Sequence, residues 1–120
     1  MSPGDPGPAL REFRRLYSAG RFFDAHEALE VVWRRSPEPP MPFLQGLIQW
    51  AVAFEHHRRG NAHGARVLLE RAWSRLAGAP EDDLGVDLSA CRAAHPALAA
   101  AFARWEAGGP RPDLRAPPIG

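Results

Sequence analysis

Apolar residues return along this chain at the three- and four-residue spacing of amphipathic helices, and the returns fall into two matching sets. Gly20, Ala25, Leu29 and Trp33 recur as Gly60, Ala65, Leu69 and Trp73, at a constant offset of 40 residues. Gly followed by such a series predicts a helix-turn-helix hairpin, with Gly in the turn and Ala, Leu and Trp on the packing face. The first helix is predicted over 9–18, where Leu10, Phe13, Leu16 and Tyr17 share a side. The second covers 22–35, and its apolar arc of Phe22, Ala25, Leu29, Val32 and Trp33 spans about 100°. Pro37, Pro39 and Pro40 bar helix in the link that follows. The third helix covers 42–59, with Pro42 in its first turn, where the missing donor does no harm. Gly60 and Asn61 close it, and a fourth helix buries Ala65, Leu68, Leu69, Ala72, Trp73 and Leu76. Beyond an acidic loop at 81–83, Leu88, Cys91, Leu98, Phe102 and Trp105 recur at helical spacing around Pro96. A broken fifth helix is expected there, with Pro96 opening its second half.

The predicted fold is therefore all-α, a compact bundle of two stacked helical hairpins plus a C-terminal broken helix. It forms a single helical domain over 9–107. The Gly/Pro-rich stretches 1–8 and 108–120 are expected to be disordered tails, since their composition buries little apolar surface.

Helix 3 departs from the amphipathic norm. Phe43, Leu44, Leu47, Ile48, Trp50, Ala51, Val52 and Phe54 cover more than half its circumference, and Gln45, Gln49 and His56 share one narrow stripe. A helix this apolar is buried, so its polar stripe must meet partners or an occupied pocket. Gly46 beside the stripe allows a close approach. Helix 2 offers the complement: His26 and Glu30 lie at the edge of its apolar arc, and Glu27 points further out. A polar site of His26, Glu27, Glu30, Gln45, Gln49 and His56 between helices 2 and 3 follows, on the condition that the two helices are neighbours.

Charge narrows the partner classes. Fifteen basic and fourteen acidic residues give a formal net charge of +1, mixed along the helices, so neither a nucleic-acid stripe nor a funnel for acidic substrates is indicated. All the basic residues are Arg. The lone Cys91 excludes an intramolecular disulfide and fits a reducing compartment. The N-terminal sequence has neither a basic start nor an apolar run, and no stretch approaches the length of a membrane span. The expectation is a cytoplasmic protein with no membrane contact.

Several of these residues also carry a resemblance. Residues 23–33 (FDAHEALEVVW), 43–49 (FLQGLIQ) and 51–61 (AVAFEHHRRGN), followed by Gly64 and Ala65, resemble the small helical family catalogued as domain of unknown function 309. The likeness covers roughly 13–76 and implies a compact all-helical cytoplasmic protein, without supplying an activity, substrate or cofactor. Its His-Glu-x-x-Glu motif maps onto His26, Glu27 and Glu30, and its Gln-Gly-x-x-Gln motif onto Gln45, Gly46 and Gln49.

Two functional classes follow. In the first, the protein is a binding or scaffolding module for a protein or small ligand, with hairpins packed in the tetratricopeptide style; two hairpins are few for an open solenoid, so a closed bundle or homodimer is expected. In the second, it is a metal-binding protein or metal-dependent hydrolase. His26 and Glu30 at i, i+4 would ligate Zn, Mn or Fe, His56 (or His57 or Glu55) would supply the third ligand, and Glu27 would stand where the catalytic base of a His-Glu-x-x-His hydrolase stands. The plainer alternative is that Glu30 pairs with Arg34 and His26 makes one buried hydrogen bond. Glu55 and Arg59 are read as a solvated surface pair, His63 as exposed and Cys91 as a buried inert thiol. Nucleic-acid binding through Arg34, Arg35, Arg58 and Arg59 ranks third.

Overall fold

The apolar spacing folds as five helices, described here from a computed structural model over residues 7–35, 42–79, 82–83 and 85–120. The proline-rich link at 36–41 and the first six residues lie outside the described residues. In chain order the elements are α1 (Gly7–Ser18), α2 (Phe22–Arg35), α3 (Pro42–Arg59), α4 (Ala62–Leu76), β1 (Asp82–Asp83), β2 (Val86–Asp87) and α5 (Ser89–Glu106). Each helix packs on the next, α1 on α2, α2 on α3, α3 on α4 and α4 on α5. The two strands are a single antiparallel pairing, Asp82 with Asp87 and Asp83 with Val86.

Both hairpin turns are built alike. Gly20 and Gly60 take φ of 78° and 81°, a left-handed conformation that costs an L side chain dearly and Gly little. In the first turn Gly20 N donates to Tyr17 O and Arg21 N to Leu16 O; in the second Gly60 N donates to His57 O and Asn61 N to His56 O. These are the two bonds of a Schellman helix end. The 40-residue repeat thus extends to hydrogen bonds, pairing Tyr17 with His57. Asn61 also caps α4, its side-chain oxygen accepting from Gly64 N at 2.9 Å.

α3 is the axle of the bundle. Phe43, Leu44, Leu47, Trp50, Ala51, Ala53 and Phe54 are all buried, walled by α2 on one side and α4 on the other. Gly46 is tight against α4, since a Cβ there would come 2.8 Å from Leu76. Tyr17 links α1 to this axle: its hydroxyl accepts from Trp50 Nε1 at 3.1 Å and donates to Pro117 O at 2.6 Å. Cys91 is fully buried, and burial pushes its thiol up to about 12.

Three expectations are corrected. α5 is unbroken from Ser89 to Glu106 and carries Pro96 inside it. Proline removes one rung and costs about 3 kcal/mol, yet Cys91 before it and Leu98 and Phe102 after it bury into the same core, which holds both halves in line. The stretch 108–120 is packed: Pro117 and Ile119 are buried, Asp87 N donates to Ile119 O, His57 Nε2 to Pro112 O and Arg111 to Arg58 O. Proline-rich chain loses little entropy on ordering, and its carbonyls serve as acceptors for the body. Glu55 is buried rather than solvated, with 4% of its surface exposed. Arg58 grips both its oxygens and Arg59 adds a third bond, at 2.5, 3.1 and 2.8 Å. Arg58 above all, then Arg59, holds its carboxyl below the ordinary range.

Among the described residues no helix is long and apolar enough to cross a membrane.

Candidate functional site

His26, Glu30 and Trp33 follow one another at i, i+4 and i+7 on the face of α2 that meets α3, where Gln45, Ile48 and Gln49 stand at i, i+3 and i+4. These six residues line one cleft of about 200 Å³. The antiparallel passage of the two helices, with Phe22 against Phe54 at the other end, fixes the register that brings them together.

The polar groups on the α2 side largely satisfy one another. His26 Nδ1 donates to Phe23 O at 2.5 Å, its ring lies edge-on to Phe23, and its Nε2 stands 3.2 Å from Glu30 Oε2. The other Glu30 oxygen accepts from Arg34 at 2.6 Å. An acceptor thus stands at each nitrogen of the His26 ring. The α3 side is different. Gln49 Oε1, and with it Trp33 Nε1 of α2, is buried without a hydrogen-bond partner among the described residues. One is an acceptor and the other a donor.

Of the residues expected here, His26, Glu30, Gln45 and Gln49 line the cleft; Glu27 and His56 do not. Glu27 is exposed on the outer side of α2, one helical step from His26 and away from α3. His56 shares the wheel angle of Gln49, but seven residues of helix carry it to the far end of α3, where its ring packs on Gly64 and its Nδ1 lies 3.2 Å from Asn61 Nδ2. Burial lowers its pKa. The other third-ligand candidates are engaged as well, Glu55 by Arg58 and Arg59, and His57 by Pro112 O and the rings of Phe102 and Trp105. Among the described residues no group of three His, Cys, Asp or Glu side chains is placed to hold a metal ion. Trp33 and Ile48 were missed as site residues. Trp33 matches Trp73 in the repeat and so reads as packing, although its place three residues after Glu30 puts it on the same stripe.

At the corresponding interface of the second hairpin, α4 on α5, charged side chains are bonded across the seam. Arg66 and Glu70 stand where His26 and Glu30 stand in the first copy, and Arg66 is tied to both Glu70 and Glu106. His63 adds a bond to Glu106 at 2.7 Å while staying largely exposed. Trp73, the counterpart of Trp33, is stacked on His95 with ring centroids 4.8 Å apart.

A family model described as "Domain of unknown function (DUF309)" matches residues 10–68. The chain is 31% identical over 85 residues to an uncharacterized protein of Aquifex aeolicus (strain VF5), a match covering 70% of this chain and 26% of that protein. It is 38% identical over 69 residues to the uncharacterized protein YpuF of Bacillus subtilis (strain 168), covering 55% of this chain and 40% of the relative. The chain therefore spans well under half the length of these curated relatives. No solved structure matches it.

Proposed function

Because the segment that belongs to the DUF309 family, residues 10–68, supplies every wall of the α2/α3 cleft, we propose that the protein is a small helical binding module that takes an amide group in this cleft. The observation that carries the reading is the pair of unpartnered buried atoms, Trp33 Nε1 and Gln49 Oε1. A buried polar group without a partner costs about 1–3 kcal/mol, and a fold keeps two of them in one cleft when a ligand completes their bonds. A primary amide has the complementary set: its N–H donates to Gln49 Oε1 and its carbonyl accepts from Trp33 Nε1–H. Ile48 and the Trp33 ring supply apolar walls, and the polar edge of His26 and Glu30 closes the rim.

Titration with acetamide, followed through the indole N–H resonances in ¹H–¹⁵N spectra, tests this. A saturable shift of the Trp33 indole signal, absent in Gln49→Leu, is the expected outcome. An indole signal that stays still while the cleft variant and the parent behave alike would remove the proposal.

The surrounding context is part of the same reading. A cytoplasmic setting is favoured by the single buried thiol. A homodimer is favoured by Phe23 and Val31, large apolar residues 45% and 50% exposed on α2; sedimentation equilibrium reads that directly.

A further inference from the structure

A larger cleft, about 520 Å³, opens at the other end of the bundle, where the first hairpin turn meets the end of α3 and the C-terminal segment. Its roof is held at two points by the repeat-related pair described above. Tyr17 donates to Pro117 O at 2.6 Å and His57 to Pro112 O at 2.7 Å. Between these pins the chain contributes Leu114 to the cleft lining, which also includes Phe22 and Phe54. The apolar body of the cleft is thus built from three separate parts of the chain.

Its charge has one sign. Arg58, Arg111 and Arg115 line the cleft, and among the described residues no Asp or Glu does. Arg58 is committed to Glu55. Arg111 donates one N–H to Arg58 O and lies 6.0 Å over the Trp105 ring, contacts that fix its position without neutralising it. Arg115 makes no ion pair among the described residues. Two guanidinium groups with no carboxylate partner among the described residues therefore stand beside an apolar cavity. Guanidinium forks match a carboxylate through paired N–H bonds, and the volume lies within the ~300–1,000 Å³ range of small-molecule sites.

We propose that this cleft binds a single-chain organic carboxylate, with its apolar chain against Phe22, Phe54 and Leu114 and its head group at Arg111 and Arg115. The C-terminal segment is then part of the binding site, carrying both guanidiniums. This site is separate from the α2/α3 cleft and does not depend on the amide reading.

Calorimetric titration of the full chain with decanoate tests the assignment, with decanol as the uncharged control. The expected result is saturable binding of one decanoate per chain, weakened roughly fivefold or more in Arg115→Gln, in line with the loss of a charge-assisted hydrogen bond. Ala116→Trp, which fills the cleft, abolishes binding with the helical circular dichroism retained, and Gln49→Leu leaves it unchanged. Decanol binding as tightly as decanoate, Arg115→Gln binding as the parent does, or the absence of saturation each overturns the proposal.

Discussion

The interfaces α2/α3 and α4/α5 are built on one repeated scaffold, yet the first borders a cleft with a buried donor and acceptor unpartnered among the described residues, and across the second Arg66, His63 and Glu106 bond to each other. Gly20 and Gly60 turn the same way, Ala25 and Ala65 are both fully buried, and so are Leu29 and Leu69 to within 1%. Where the copies diverge, Arg66 in the second hairpin reaches Glu106 and Glu70, and Trp73 stacks on His95. In the first hairpin the equivalent face borders a cleft lined by Trp33 and Gln49, whose Nε1 and Oε1 have no partner among the described residues. The shared positions are accounted for by packing. The divergent ones separate a face whose charged side chains pair across the seam from the face proposed above to take a ligand.

The largest expected effect tests the shared half of this comparison. Leu29→Ala and Leu69→Ala remove equivalent, fully buried side chains, and each should lower unfolding stability by about 2–5 kcal/mol in denaturant titration. Losses of similar size support a common scaffold. A loss confined to one hairpin would break the equivalence.

A smaller effect belongs to the second interface alone. Arg66, then His63, holds the Glu106 carboxyl below its ordinary 4.5, so the folded state binds this proton less readily than the unfolded chain does. The stabilisation is present above pH 4.5 and is lost as the pH falls through the lowered folded value. Glu106→Gln should therefore lower the melting temperature at neutral pH and flatten the acid limb of the stability profile. Glu55, gripped by Arg58 and Arg59, keeps its own acid dependence in that variant and serves as the internal control. A variant with an unchanged acid limb would mean that the tie between α4 and α5 contributes nothing.

The hairpins were legible in the sequence because Gly in a tight turn and apolar residues at helical spacing have few other readings. The cleft was partly legible: His26, Glu30, Gln45 and Gln49 fall on facing stripes that wheel angles reveal. His56 has the right angle and the wrong height, since a wheel discards the ~1.5 Å rise per residue that carries it to the end of α3. Trp33 was hidden by its match to Trp73, because the same residue type packs one interface and lines the other. Glu55 reads as solvated from spacing alone, since i, i+4 partners look the same at a buried position and an exposed one. The C-terminal segment escaped because main-chain carbonyls that accept from Tyr17, His57 and Asp87 leave no mark on composition. Pro96 marks a helix break by local rules, and the core contacts of Cys91, Leu98 and Phe102 override it.

The central claim is that the α2/α3 cleft holds a buried donor and acceptor with no partner among the described residues. The unfolding free energy of Gln49→Leu, measured against the parent in the absence of ligand, tests it most directly. The account predicts a gain of about 1–3 kcal/mol, because an apolar side chain of similar size removes an unpartnered buried acceptor. A loss instead would mean that Gln49 already has its bonds within the fold and that the cleft is ordinary core.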